Sequence, residues 1–170
     1  MAVGNLEFIK SASGTSVSSL SVTDCFSASY DVYYVSVTDL NTSASNFQYA
    51  RFIDSGGVDS TTNYDTANLS LRNWTTYSEQ RSVNQTSIQY ISYRDASTTT
   101  GTGIGMYVFN PFDSSSYTFT KAQSSTQLGA GTFGTKHISV HKVAEEITGI
   151  NFFPASGTYN NISINVYGVK

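Results

Sequence analysis

The chain has 170 residues, of which 12% are charged and 39% are apolar, and its formal net charge at pH 7 is −3. Proteins usually contain about 25% charged residues, so neutral polar side chains must cover much of this surface, while 12 Tyr and 10 Phe argue against intrinsic disorder. The 9 Lys and Arg residues are scattered and no apolar run approaches the roughly 20 residues of a membrane span, so we expect partners other than nucleic acid or membrane.

Apolar and polar residues alternate along most of the chain, which is the period of a β-strand. In chain order the alternating positions are Leu6 and Phe8; Leu20 and Val22; Tyr33, Val35 and Val37; Phe47 and Tyr49; Leu69 and Leu71; Ile88 and Tyr90; Ile104, Met106 and Val108; Tyr117 and Phe119; Ile138 and Val140; Ile150 and Phe152; Ile162, Ile164 and Val166. Turn-forming residues separate these segments at a spacing of about 8 to 14 residues, which predicts an all-β sandwich or barrel. The length suits one domain over residues 1–170, with residues 1–5 as a candidate N-terminal arm.

Near the N-terminus, the sequence offers neither a secretory signal nor a disulfide. The first seven residues lack a basic segment followed by an apolar one, so we expect synthesis in a cytoplasm. Cys25 is the single cysteine, which leaves it without a disulfide partner, and we expect a small buried side chain there.

The carboxylates are mostly isolated in sequence. Asp54 and Asp59 flank a Ser-Gly-Gly-Val segment, but the spacing lacks the pattern of a calcium loop, so we expect a polar loop. There is no Gly-x-Ser-x-Gly elbow. A glycoside hydrolase would need two carboxylates that converge only in space. We therefore expect no enzyme activity and no cofactor.

Trp74, the single tryptophan, and Tyr77 lie in a polar segment. Such aromatic side chains stack on sugar rings or anchor protein interfaces, because they combine apolar area with a polar group. The alternative is an ordinary aromatic residue of the core or of a sheet edge. These two residues are the candidate interface or glycan contacts of the sequence.

The segment Gly129–Lys136 matches Gly-x-Gly-x-x-Gly. A phosphate loop of this type follows a strand and opens a helix, whereas this segment runs into the alternating Ile138 and Val140. We interpret it as a glycine-rich connection.

His137 and His141 are the only histidines and are four residues apart. On a helix they would share one face, but along a strand four residues rise about 13 Å, too far to share a metal ion. Because the segment reads as a strand, we expect solvent-facing histidines and no metal site, although Glu145 or Glu146 is a conceivable third ligand. The best helical candidate, His141–Ile147, is about two turns at most.

Outward positions of the expected strands carry Ser, Thr, Asn and Gln, as in Asn161-Ile162-Ser163-Ile164-Asn165. Sheet edges without charges invite pairing with other chains. We therefore expect that many faces and edges are covered in an assembly.

Several segments resemble the small jelly-roll structural proteins of tailed bacteriophages, many of them from phages of cyanobacteria. The resemblance covers residue 5 to the C-terminus and rests on strand and turn segments, which are Leu6-Glu7-Phe8-Ile9-Lys10-Ser11; Ser29-Tyr30-Asp31-Val32-Tyr33-Tyr34-Val35; residues 51–64, with Ser55-Gly56-Gly57 and Thr62-Asn63-Tyr64; Val108-Phe109-Asn110-Pro111, with Ser115-Ser116-Tyr117; residues 147–157; and Ile164-Asn165-Val166-Tyr167-Gly168-Val169.

The resemblance implies a single antiparallel jelly-roll sandwich with little or no helix, a homotrimer on the virion, and no catalytic residue. A fibre head usually follows a long shaft, and no heptad repeat is present here, which favours a capsid decoration (cement) protein on the capsid exterior. Its partner would be the major capsid protein, at the junctions between capsomers. The alternative is a tail fibre or spike head that binds a host receptor or glycan.

Overall fold

The computed structural model describes residues 5–96 and 101–170, and within them the chain forms thirteen β-strands and no helix. They are β1 (Leu6–Val17), β2 (Leu20–Val22), β3 (Val32–Thr42), β4 (Asn46–Asp54), β5 (Gly57–Val58), β6 (Tyr64–Arg72), β7 (Ser78–Gln85), β8 (Ile88–Arg94), β9 (Thr102–Phe109), β10 (Thr118–Leu128), β11 (Gly131–His141), β12 (Gly149–Pro154) and β13 (Tyr159–Val169). Every alternating position lies on one of these strands, except Tyr117, which directly precedes β10. The all-β prediction is confirmed.

The strands form two antiparallel sheets that face each other as a β-sandwich of the jelly-roll type. The large sheet has the order β1-β13-β3-β9-β10-β11-β6-β7, and the small sheet has the order β2-β12-β4-β5, with β8 beside β4. The first and last strands of the chain pair with each other, and the carbonyl of Asn5 accepts a hydrogen bond from the Lys170 amide at 3.0 Å. Residues 1–4 of the candidate arm lie outside the described residues.

One half of the sandwich interior is apolar, and we call it the apolar half. There the alternating residues of β3, β9 and β13 face those of β4 and β12, and nearly all are fully buried. This group comprises Val35, Val37, Phe52, Ile104, Met106, Val108, Ile150, Phe152, Ile162, Ile164 and Val166. The period of two places one set of each strand in the core, as the sequence predicts.

The other half, which we call the polar half, lies under β6, β10 and β11. These strands point mainly hydroxyl, amide and imidazole side chains inward. The buried ones are Thr66, Asn68, Ser70, Thr118, Thr120, Thr126, Thr135, His137, Ser139 and His141. The prediction that the two histidines face solvent is therefore wrong. The alternating apolar residues Phe119 and Ile138 face outward instead.

Part of the polar half is explained by strand β8 of the small sheet, which lies opposite. Within residues 5–96 and 101–170, β8 pairs with β4 alone, and the ladder shifts register between Gln48 and Ala50. Opposite this shift, Tyr90 has a φ of 60°, a left-handed conformation that is uncommon for a bulky residue. Buried carbonyls need hydrogen-bond partners, and the segment of β8 at this bulge receives them from the large sheet.

Three side chains of the large sheet donate those hydrogen bonds. The amide of Asn68 donates to the Tyr90 carbonyl at 2.7 Å, and the hydroxyl of Thr135 donates to the Ile91 carbonyl at 2.6 Å. The ring Nε2 of His137 lies 3.0 Å from the Gln89 carbonyl oxygen, so this nitrogen carries the proton. These three inward polar residues of β6 and β11 thus satisfy buried carbonyls of β8.

Two further expectations concern Cys25 and the best helical candidate, His141–Ile147. Cys25 is buried, and burial raises the pKa of its thiol to about 12, so the side chain is a protonated small apolar group, as expected. The segment after His141 runs to β12 without a helix. The described residues hold no helix long and apolar enough to cross a membrane.

The glycine-rich segment forms the turn of the β10–β11 hairpin at Gly129 and Ala130 and continues as strand β11 from Gly131. Gly131 has a φ of 143°, and a Cβ placed there would lie 2.8 Å from an atom of the Trp74 ring. Glycine is needed at this position both for its conformation and for the close approach of Trp74.

Candidate functional site

The first candidate site is a cluster of Asp59, His141 and Glu145, whose ligand-type atoms lie within 4.8 Å of one another. Asp59 Oδ2 is 2.7 Å from His141 Nε2, and Glu145 Oε1 is 3.7 Å from the same nitrogen. Asp59 Oδ1 accepts hydrogen bonds from the amide and the hydroxyl of Thr61, at 2.8 and 2.6 Å. Both carboxylate oxygens of Asp59 are therefore engaged.

Burial and hydrogen bonding act in opposite directions on Asp59. Burial raises its pKa, but the hydrogen bonds from Thr61 and His141 favour the charged form more strongly, and the net result is a lowered pKa. The pKa of Glu145 is raised, because partial burial and the carboxylates of Asp54 and Asp59 outweigh the attraction of His141. The cluster thus holds one firmly ionised carboxylate and one that is more easily protonated.

The cluster combines ligand types that zinc accepts, yet the ring of His141 argues for a different role. The ring packs against Tyr64 and Phe52, with centroid separations of 4.8 and 5.8 Å, and its Nδ1 is buried without a hydrogen-bond partner among the described residues. If Nε2 bound a metal, Nδ1 would carry the proton and lack an acceptor, whereas metal-bound histidines almost always donate from the second nitrogen. The geometry fits a hydrogen bond from Nε2–H to Asp59.

This hydrogen bond ties β11 to the loop that follows β5. From the sequence, Glu145 or Glu146 was a conceivable third metal ligand. The structure places Glu145 in the cluster, while Glu146 is exposed. His137 contacts the Gln89 carbonyl instead. Asp59 lies in the loop that follows β5, as expected, but its side chain is buried against His141.

The pair of Asp59 and Glu145 also bears on the hydrolase alternative. Their oxygens are close enough for a carboxylate pair, but the side chain of Asp59 is 5% exposed and its two oxygens are bonded to protein groups. A substrate would have to displace these contacts. The arrangement is that of a structural pair.

The second candidate site is an apolar area on the solvent side of the large sheet. We call it the outer-face patch, and it consists of Ala67, Val83, Phe119, Ile138 and Val140. These residues line a shallow depression of about 580 Å³. The exposed fractions of Val83, Phe119 and Ile138 are 64%, 45% and 60%. Exposed apolar areas of this kind mark interaction surfaces more often than isolated residues do.

The surroundings of the outer-face patch are polar and carry few charges. Arg81 and Asp65 line the same depression, and an adjoining depression contains Lys121 and Lys136. Asp65 forms a salt bridge with Lys142 at 2.9 Å, so it is already neutralised. The centre of the patch offers apolar contact, and the rim carries charges of both signs, with Glu79 beside the three cations.

The third candidate site contains the two aromatic residues singled out in the sequence. Trp74 and Tyr77 lie in the connection between β6 and β7, with exposed fractions of 38% and 64%. The side-chain oxygen of Asn73 accepts a hydrogen bond from the Thr132 amide at 3.0 Å, which fixes this connection to the β10–β11 turn. Tyr77 lines a groove of about 340 Å³ together with Arg72. Neither side chain therefore belongs to the core.

Comparison with known proteins gives little further guidance. No protein-family model and no curated protein matches the chain. Among solved structures, the chain is similar to the marine PL-14 alginate lyase from Aplysia kurodai, with 8% sequence identity and a TM-score of 0.32, over 86% of this chain and 72% of that one. At this level of similarity the comparison carries no functional inference.

Proposed function

We propose that this protein is a non-enzymatic virion structural protein of a tailed bacteriophage, acting as a trimeric capsid decoration protein. It binds the major capsid protein on the capsid exterior, at the junctions between capsomers. The outer-face patch is the observation that carries the proposal, because it presents exposed apolar side chains on a rigid sheet and needs a partner to remove them from water.

The physical role follows from linkage. A protein that binds the assembled shell, and binds separated subunits less well, stabilises the shell by its binding free energy. Apolar contacts of Ile138, Phe119 and Val83 with the major capsid protein would supply part of that free energy. Because most of the contact area is neutral, the affinity should depend only weakly on salt.

The experiment that tests the proposal locates the chain in purified particles by electron cryo-microscopy and measures the mass of the recombinant protein. Density at every capsomer junction and a trimer mass are the expected results. A small number of copies confined to the tail would overturn the capsid role.

The contact surface is tested with matched variants. Ile138→Asp places a charge in the outer-face patch, and Val58→Asp places the same charge at another exposed apolar position, on β5. Binding to particles that lack the protein should weaken by at least about tenfold for Ile138→Asp and stay unchanged for Val58→Asp. Equal binding of both variants would contradict the proposed contact. So would a fall in affinity by orders of magnitude between low and physiological salt.

A second candidate function rests on the exposed rings of Trp74 and Tyr77, which both lie in the β6–β7 connection. In this alternative the protein is a tail fibre or spike head, and the rings stack on a host glycan. Trp74→Ala separates the two functions. Lost adsorption with intact particles would support the glycan alternative, and lost particle stability would support the decoration role.

A further inference from the structure

Strand β7 ends the large sheet and bonds to β6 only, so among the described residues its second edge has no partner strand. A free edge presents backbone N–H and C=O groups that another strand can pair with. Edges usually carry charges that keep other strands away, and β7 carries Glu79 and Arg81. Both side chains are exposed, and neither forms a salt bridge within the described residues.

We propose that β7 pairs antiparallel with β7 of a second copy of this chain, in a register centred on Gln80, so that the two large sheets become continuous. In this register Glu79 of each copy lies opposite Arg81 of the other, which forms two ion pairs related by the two-fold axis. The exposed Tyr77 of each copy lies opposite the exposed Val83 of the other. The strand is therefore complementary to itself in charge and in apolar area.

The neighbouring registers are less favourable. In antiparallel pairing, hydrogen-bonded and non-hydrogen-bonded positions alternate, so the nearest allowed registers are centred on Glu79 or on Arg81. The first places two glutamates opposite each other, and the second places two arginines opposite each other. Like charges directly opposite destabilise a strand pair, so the charges of β7 select the register centred on Gln80.

The opposite face of β7 supports the same register. The hydroxyl oxygens of Ser78 and Ser82 are buried and have no hydrogen-bond partner among the described residues. In the proposed register Ser78 of one copy lies opposite Ser82 of the other, and cross-strand hydroxyl pairs can hydrogen-bond. The pairing would give each of these side chains a neighbour able to accept or donate.

The pairing has a natural end at Asn84. This residue has a φ of 54°, and its amide donates to Asp65 Oδ1 at 2.7 Å, which turns the strand out of regular geometry. The regular contact therefore covers residues 77–83. Because the two-fold axis is perpendicular to the sheet, the outer-face patches of both copies would face the same side, with the two copies of Val83 near the contact.

This contact is two-fold and differs from the three-fold contact of the proposed trimer, so it goes beyond the proposed function. It predicts an even number of copies in the assembly. A dimer would form if β7 is the only contact between copies, and a hexamer would form if trimers also exist. Both can be measured with the recombinant protein alone, without phage, so failure here is distinct from failure of the capsid role.

The test is charge reversal, read by sedimentation equilibrium of the full chain. Arg81→Glu places glutamates opposite glutamates and should weaken the two-fold association by at least about tenfold. The double variant Glu79→Arg with Arg81→Glu restores opposite charges and should restore association. Lys121→Glu, on the same face but on β10, is the control and should associate like the parent protein.

Disulfide trapping then reads the register. Only the residue on the axis faces its own copy, so Gln80→Cys should form a cross-linked dimer on oxidation, while Glu79→Cys and Arg81→Cys should cross-link much less. Four results would overturn the proposal: a monomer at all concentrations, a trimer alone, no rescue by the double variant, or preferred cross-linking at position 79 or 81.

Discussion

The apolar half and the polar half of the sandwich interior are built on the same large sheet, yet they are held together differently. In the apolar half, Val35, Met106 and Phe152 belong to one cluster of buried apolar side chains. In the polar half, Asn68 and Thr135 donate to carbonyls of β8. The opposing strands also differ, because among the described residues β12 is paired on both edges whereas β8 is paired on one edge.

This comparison shows that the inward composition of a sheet depends on the hydrogen-bonding state of the layer opposite. A strand with complete ladders offers only side chains, and burial of apolar area at about 25 cal/mol per Å² stabilises the contact. A strand with free buried carbonyls requires donors, each contributing about 0.5–1.5 kcal/mol net. The free energy of unfolding should therefore be most sensitive to loss of buried area in the apolar half, and to loss of hydrogen-bond donors or to pH in the polar half.

The largest expected effect is in the apolar half. Phe152 is fully buried there, whereas Phe119, on the outer-face patch, is 45% exposed. Phe152→Ala should lower the free energy of unfolding by about 3–5 kcal/mol, because it removes buried area and leaves a cavity. Phe119→Ala should cost less than about 1 kcal/mol. Urea unfolding of both variants measures the difference, and equal losses would contradict the assignment of inner and outer faces.

The next effect concerns pH and His137 in the polar half. Burial lowers the pKa of this histidine to about 4, and the hydrogen bond to Gln89 offsets only part of the shift. The unfolded chain takes up the proton near pH 6.5 and the folded chain does so only near 4. Stability is therefore fully present above pH 6.5 and is lost as pH falls toward 4, at no more than about 1.4 kcal/mol per pH unit.

His137→Gln isolates this contribution. Glutamine can still donate to the Gln89 carbonyl but does not titrate, so the free energy of unfolding should fall less between pH 6.5 and 4 than in the parent protein. Asp59 and Asp65, whose pKa values are lowered, are present in both proteins and cancel in the comparison. Identical pH profiles from urea unfolding would show that His137 is not buried in its neutral form.

The third effect tests the link between β6 and β8. Asn68→Ala removes the donor to the Tyr90 carbonyl and should cost about 1–3 kcal/mol, since that carbonyl becomes a buried acceptor without a partner. Hydrogen exchange should also accelerate at residues 89–91, more than in β12. Asn160→Ala, at an exposed position of β13, is the control and should stay within about 0.5 kcal/mol of the parent protein.

The strands were predictable from the sequence because alternation is a local signal. It located β3, β9 and β13 and their inward residues correctly. It missed β7, Ser78–Gln85, whose only apolar residue is Val83. A free sheet edge with polar residues on both faces has no hydrophobic period to detect.

It was less predictable which face of each strand points into the core. In β11 the apolar set contains Ile138 and the polar set contains His137, and alternation alone says only that the two lie on opposite faces. Two members of the buried polar set, Thr135 and His137, hydrogen-bond to β8, which lies far away in the sequence. The bond between Asp59 and His141 joins residues 82 positions apart, so no local pattern could have indicated it. Trp74 and Tyr77 stood out in the sequence because they are aromatic residues in a polar segment, and both side chains are exposed.

The smallest expected effect comes from the same substitution, isoleucine to threonine, made on the outer and on the inner face of the large sheet. Ile138→Thr, in the outer-face patch, should change the free energy of unfolding of the monomer by no more than about 0.5 kcal/mol, since the side chain is 60% exposed. Ile164→Thr, in the apolar half, should cost several times more, because it buries a hydroxyl without a partner. Both are measured by urea unfolding at low protein concentration.

The same two variants then show whether the outer-face patch is exposed to solvent or covered by a partner. If the outer-face patch is covered when copies or capsid subunits assemble, Ile138→Thr should lower stability only at concentrations where the assembly forms, whereas the cost of Ile164→Thr should be largely independent of concentration. A cost at Ile138 that is equally large in the dilute monomer would place this residue in the core. The assignment of the polar side chains of β11 to the core and of Ile138 to the surface would then be wrong.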